Sequence, residues 1–185
     1  MEKYKTNPIE VCGVYTKIFF FNSEGYAIID TEDYENVRNY CWGKKTYRGG
    51  LAYARAGIRG SSGETKIHQI ILPCEEGFIV EHKDGNGLNN RKNNLRPATC
   101  SQNSMNTKLR SNNTSGCKGV TFDKKWDKWV AKITVDGKDH CLGGFSTKEE
   151  AVRVRKDAEG NYFKEFSYLK YRSKEGNVYG EVPEV

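Results

Sequence analysis

Apolar and polar residues alternate in three different ways along this chain, and each way predicts a different local structure. KIFFF followed by YAIID across Asn22–Gly25 reads as two short strands with a turn between them, because β-branched and aromatic residues dominate both runs. Thr31 to Tyr40 predicts a short helix, with Thr31 able to cap it and Tyr34, Val37 and Tyr40 on one stripe. Leu51 to Ile58 predicts a strand between glycine turns, and the apolar run Lys66 to Leu72 stops at Pro73. Phe78 to Val80 is a short β run into Glu81-His82. KDGNGLNNRKNN then shows no hydrophobic period at all and reads as a loop, in which Asn86, Asn89 and Asn90 are turn residues. Leu95 to Ala98 returns as a second strand, and the capping box Thr99-x-x-Gln102 opens a helix from Cys100 to about Leu109.

Beyond the polar stretch Ser111–Ser115 the period of two becomes regular. Lys118–Phe122, Lys128–Val135 and Lys138–Leu142 predict three strands, with Asp136-Gly137 as the turn between the last two. Trp129, Ala131 and Ile133 share one face of the middle strand, leaving Lys132 and Thr134 on the other. Thr147-x-x-Glu150 opens a helix whose stripe is Ala151, Val154, Ala158 and Tyr162. Laying that helix on the Trp129 face is the economical packing. The fold class expected is α+β.

Composition bounds the function. The formal net charge of +6 is modest, but residues 108–174 hold sixteen basic against nine acidic side chains, whereas residues 1–80 are balanced. A basic second half suits a polyanionic partner and equally suits an ordinary solvated surface. Six scattered cysteines form no C-x-x-C pair, which argues against a thiolate zinc site and for free thiols in a reducing cytoplasm. No apolar run is long enough to cross a membrane, and MEKYKTNPIE lacks a signal-peptide core.

Chemistry concentrates in the middle. His82 ends a strand, Asn94 lies on the returning side of the loop, Asn103 falls early in the next helix, and Glu81 is the adjacent carboxylate. Hydrolysis of a phosphodiester needs a base for water and a cation against the phosphate and departing oxygen. Neutral histidine suits the first task, and a carboxylate with an amide oxygen suits a hard ion such as magnesium.

The run EHKDGNGLNNRKNNLRPATCSQNSMN resembles the HNH endonuclease family, especially its phage and intron-encoded homing type. The resemblance implies a ββα-metal core in which His82 is the general base and Asn94 ties the strands together and supports the histidine. It implies Glu81 and Asn103 as ligands of one Mg²⁺ (or Mn²⁺), and Arg96 as a DNA-facing position; Arg91 and Lys92 are further DNA-contact candidates, and all three basic residues also admit a solvated face. His68 in KIHQIIL resembles an upstream histidine of structural role. Glu81 stands where the family usually carries aspartate, so its carboxylate is displaced by roughly an ångström, a shift that can be costly in rate.

From Gly116 the pattern GCKGVTFDKKWDKWVAKITVDGKDHCLGGFSTKEEAVRVRKDAE resembles the plant-type AP2 DNA-binding domain, a three-stranded sheet backed by a helix. By that resemblance Lys118, Trp126, Lys132 and Thr134 are DNA-contacting positions, while Thr121, Asp123 and Cys141 depart from the family's base-reading residues. The expected organisation is a strand/helix region over 1–65, the nuclease core over 66–110, a linker over 111–115, the AP2-like domain over 116–170 and an acidic tail over 171–185. The expected function is metal-dependent cleavage of double-stranded DNA by a monomer, most simply nicking, with no obligatory protein partner. The alternative is a DNA-binding regulator carrying a catalytically degenerate HNH fold.

Overall fold

A computed structural model describes residues 6–167 apart from Arg59, Lys108, Arg110 and Ser111, and the chain divides into two units between Thr99 and Cys100. The expected tail over 171–185 lies outside the described residues.

The first unit begins with an antiparallel meander, β1 (Ile9–Cys12), β2 (Tyr15–Phe19) and β3 (Tyr26–Asp30), paired in that order. A 3₁₀ turn over Thr31–Asp33 leads into the one-turn helix α1 (Tyr34–Val37). A second meander follows, β4 (Gly43–Thr46), β5 (Ala52–Gly57) and β6 (Glu64–Lys66), then helix α2 (Ile67–Ile71). The unit closes with the hairpin β7 (Ile79–His82) and β8 (Leu95–Ala98). Ile18, Phe20, Ala27, Ile29, Val37, Trp42, Ala54, Ala56, Ile67 and Leu88 form one core. Asn7 fastens it: its side chain donates to the carbonyls of Phe19 and Trp42 at 2.7 and 2.8 Å and accepts from the Trp42 N–H at 2.6 Å.

The helix expected to reach Tyr40 ends at Val37, where the chain turns to deliver Trp42 into the core, its indole N–H donating to the Val37 carbonyl at 2.9 Å. β4 and β6 have no apolar alternation to betray them, and β1 has only Ile9 and Val11 either side of Glu10. All three are short outer strands, and GKKT and ETK make their places through backbone pairing and through ion pairs of Glu64 with Lys45 and Arg55.

The second unit opens with α3 (Cys100–Met105) and continues as β9 (Val120–Asp123), β10 (Lys128–Val135), β11 (Lys138–Phe145) and α4 (Lys148–Phe163). β10 is the central strand, antiparallel to both neighbours, with a bulge between Ala131 and Lys132. α4 starts at Thr147, whose hydroxyl accepts from the Glu150 N–H at 3.3 Å. Val120, Ala131 and Ala151 pack together, and Ile133, Ala158 and Phe163 extend the core to Met105 of α3. α3 thus shares its core with the C-terminal sheet and helix. Tyr162, expected on the buried stripe, is exposed and stacks on His140 at 5.8 Å; Phe163 takes the core position instead. Among the described residues no helix is long and apolar enough to cross a membrane.

Candidate active site

The hairpin register sets Glu81 opposite Arg96 and His82 opposite Leu95. The intervening loop, polar except for the core residue Leu88, folds by bonding to itself. Asp84 Oδ1 accepts from the Asn86 N–H at 2.7 Å and from Asn94 Nδ2 at 2.9 Å, and Asp84 Oδ2 accepts from Asn89 Nδ2 at 2.8 Å. Asn94 closes the ring: its Oδ1 accepts from the Asp84 N–H at 3.0 Å and its Nδ2 also donates to the Asn89 carbonyl at 2.8 Å. An asparagine-rich loop is costly to bury unless its amides are bonded, and here Asp84, Asn89 and Asn94 bond one another, leaving Asn89 Oδ1 without a partner among the described residues. Gly87 rests against β5, where a Cβ would collide with the Ala52 carbonyl and the Tyr53 ring.

The loop is also clamped to the N-terminal sheet. Ile28 N–H donates to the Leu88 carbonyl at 2.8 Å, and Asn90 N–H donates to the Ile28 carbonyl at 2.7 Å. Arg91 Nε pairs with Asp30 at 2.9 Å, and Lys92 Nζ pairs with Glu32 at 2.7 Å and Asp33 at 2.9 Å. Those two carboxylates raise the Lys92 pKa above its ordinary value, Glu32 more than Asp33. Arg91 and Lys92, expected to face DNA, therefore have anionic partners within their own unit, and residues 26–33 brace the loop that carries the site.

His82 is buried, with Nε2 3.2 Å from Asn90 Oδ1. Its ring meets His68 of α2 edge-on at 4.9 Å, and Tyr53 of β5 contacts both histidines, at 5.5 Å to His68 and 5.8 Å to His82. Burial lowers the His82 pKa, and nearby Lys66 adds to this, against the Asn90 hydrogen bond and the charge of Asp84. Burial pushes His68 down to about 3, aided by His82 and Lys66. Both imidazoles are therefore neutral at neutral pH, the state a proton acceptor requires.

Glu81 is buried, and its Oε2 accepts from Arg96 Nε at 2.5 Å across the hairpin. Its other oxygen, Oε1, is buried with no hydrogen-bond partner among the described residues. An ionised oxygen in that position is costly unless something positive faces it. Mg²⁺ takes one or two protein carboxylates and keeps several waters, so a single free oxygen is a fitting donor. Among the described residues no cluster of three His, Cys, Asp or Glu side chains is placed to hold a metal. Asn103, the other ligand position implied by the resemblance, lies half-exposed on α3 in the second unit.

In the second unit Lys132 and Thr134 are exposed on the sheet face opposite the buried Ala131 and Ile133, and Thr134 Oγ1 donates to Asp139 at 2.6 Å. Trp126 is exposed with Lys125 Nζ over its ring at 5.3 Å. Lys118 Nζ reaches the Thr107 hydroxyl at 2.9 Å and also its carbonyl. Sequence reasoning missed Asp84, Asn90 and Tyr53. The two loop residues look like turn formers, and Tyr53 sits in a strand whose nearness to His82 only the tertiary fold creates.

Three comparisons bear on this centre. The family model described as HNH endonuclease matches residues 73–105, which include β7, the loop, β8 and α3. Protein 3.8 of Escherichia phage T7 is 41% identical over 93 residues, 49% of this chain and 77% of that protein. An uncharacterised HNH endonuclease of Acanthamoeba polyphaga mimivirus is 28% identical over 148 residues, 77% of this chain and 73% of the relative. No solved structure matches. With the family signature falling on the very hairpin that buries His82 and Glu81, this chain belongs to the HNH endonuclease family.

Proposed function

We propose that the chain hydrolyses phosphodiester bonds of double-stranded DNA, nicking at a preferred site in the manner of a homing-type enzyme. The observation that carries the reading is the pairing of a buried neutral imidazole, His82, with an adjacent buried carboxylate that has one oxygen left over. His82 takes a proton from water, and the resulting hydroxide attacks phosphorus as the P–O3′ bond breaks. Asn94 contributes by holding the loop's two ends together. Glu81, through Oε1, would hold one Mg²⁺ or Mn²⁺, which would supply positive charge against the phosphate and the departing oxygen, and Asn103 is the second ligand that the family resemblance implies.

The C-terminal unit supplies the affinity in this reading. Its exposed sheet face, with Lys132 and Thr134, would enter the major groove as AP2-type sheets do, with Lys118 and Trp126 flanking it. Lysine–phosphate contacts make such binding salt-sensitive, and discrimination between sequences needs contacts to base edges. Arg96 in this account orders Glu81, and DNA contact by Arg91 and Lys92 would require exchanging Asp30, Glu32 and Asp33 for phosphates. One centre per chain makes a nick the simplest product of a monomer acting in the cytoplasm of a host cell.

Incubating supercoiled plasmid with the full chain tests this directly: open-circular product is expected with Mg²⁺ or Mn²⁺, and none with EDTA. One observation favours a second reading. Arg96 on Glu81 Oε2 already neutralises the carboxylate, as it would in a disabled centre that only binds DNA. Retarded plasmid without cleavage under either metal would select that reading.

A further inference from the structure

Asn90 meets His82 at Nε2, and its backbone N–H and both polar atoms of its side chain have partners. Its backbone N–H donates to the Ile28 carbonyl at 2.7 Å, its Nδ2 donates to the Leu88 carbonyl at 3.1 Å, and its Oδ1 lies 3.2 Å from His82 Nε2. The orientation of an amide is usually ambiguous, because its oxygen and nitrogen look alike. Here chemistry decides it. A backbone carbonyl can only accept, so the amide end facing Leu88 must be the NH₂, and the end facing His82 must be the oxygen.

That assignment propagates to the histidine. An amide oxygen facing Nε2 requires a proton on Nε2, and a neutral imidazole then carries its basic lone pair on Nδ1. The fixing group is itself fixed. The Leu88 carbonyl also accepts from Ile28 N–H at 2.8 Å, so the amide orientation is referred back to β3 of the N-terminal sheet. Asn90 is only 1% exposed, so water does not compete for these bonds.

We propose that Asn90 is a positioning residue that holds His82 as the Nε2–H tautomer, so that Nδ1 is the nitrogen that removes the proton from water. This deepens the nuclease reading and rests on it. The proton leaves the water oxygen for Nδ1, the hydroxide forms the new P–O bond, and the P–O3′ bond releases its electron pair to the departing oxygen. The imidazolium so formed keeps its Nε2–H on Asn90 Oδ1, so the supporting bond persists through the transfer and gains strength as charge develops. The arrangement assigns residues 26–30 a part in catalysis they never touch: β3 sets Leu88 and Asn90, and Asn90 sets the base.

The test reads the proton and not only the rate. The chain has three histidines, His68, His82 and His140, and long-range ¹H–¹⁵N spectra of the metal-free full chain at pH 8 report the tautomer of each, with His82 assigned by substitution. Wild-type His82 is expected as a single form protonated at Nε2. Asn90→Leu, similar in volume but without an acceptor, is expected to give a mixture containing the Nδ1–H form. Its kcat for plasmid nicking should fall by about 10-fold or more, within the range of general-base effects, while KM for DNA changes little. Asn90→Asp, which keeps an oxygen toward Nε2 but loses the donor to the Leu88 carbonyl, should retain the wild-type tautomer at some cost in stability.

A wild-type spectrum dominated by Nδ1–H overturns the proposal outright, and needs no variant to fold. So does an Asn90→Leu chain that keeps one Nε2–H form together with wild-type kcat. If the wild-type chain itself cleaves nothing, the nuclease reading falls and takes this role for Asn90 with it; normal wild-type cleavage beside an unaffected Asn90→Leu chain removes Asn90 alone.

Discussion

The two units bury polar groups for different ends. In the first, Glu81, His82, Asn89, Asn90, Asn94 and Arg96 are all buried around one hairpin and its loop, and their bonds orient a histidine and a carboxylate. In the second, buried polar groups run along one side of α4: Arg155 pairs with Glu159 at 3.0 Å, and Ser167 donates to Glu159 at 3.0 Å, which ties the segment after the helix back onto it. The rest of that unit is an ordinary amphipathic sheet under an amphipathic helix. A polar interior this dense marks a candidate functional site, because such networks are costly unless their members are satisfied, and here Glu81 Oε1 and Asn89 Oδ1 are left over.

The sharpest way to break that contrast is to remove one cation from the polar interior. Arg96→Met leaves the Glu81 carboxyl buried beside an apolar side chain without its cationic partner, and should cost about 3 kcal/mol or more in urea unfolding of the first unit. Pairing it with Glu81→Gln should recover most of the loss. A single variant as stable as wild type would mean that the carboxylate is not held as described.

Acid separates the units next. His68 titrates near 3 in the folded chain against an ordinary 6.5, so between these values the unfolded chain binds more protons. Stability from this group is fully present above pH 6.5 and is lost as pH falls toward 3, at up to about 1.4 kcal/mol per pH unit. Unfolding midpoints of the first unit measured from pH 7 to 5 should fall, and His68→Gln should flatten the slope. A wild-type profile with no slope contradicts the burial of a neutral His68.

The second unit has its own, smaller lever. Thr147→Ala removes the acceptor for Glu150 N–H and should cost about 1 kcal/mol, seen as faster amide exchange at the start of α4 with the acid slope of the first unit unchanged. Smallest is Lys132→Ala, which should lower the dependence of log K on log salt by about 1 for DNA binding and leave the saturated nicking rate alone.

How far each unit could be read from the sequence follows from the same contrast. The second unit obeys periods of two and 3.6, so Trp129, Ala131 and Ile133 declared the covered face and Thr147 the helix start, whereas Phe163 replaced Tyr162 in the core, α3 ended at Met105 and not near Leu109, and β11 ran on to Phe145. The first unit's site lies in a segment with no period. The family resemblance pointed to His82, Glu81 and Asn94, but Asn90 looked like any turn asparagine, because its contact with His82 depends on a carbonyl from Leu88 and a strand about sixty residues upstream in sequence order. Arg91 and Lys92 looked like phosphate ligands for a related reason: Asp30, Glu32 and Asp33 are distant in sequence, and only folding brings them opposite. Outer strands such as β4 and β6 left no trace, since backbone pairing makes no demand on side-chain pattern.

The measurement that reaches the centre of the account is the initial rate at which His82→Ala nicks supercoiled plasmid under saturating Mg²⁺, set beside the wild-type chain and checked by circular dichroism for an intact fold. Loss of the base should slow nicking by about 100-fold or more. An equal rate in the two proteins would contradict the assignment of proton removal to this imidazole.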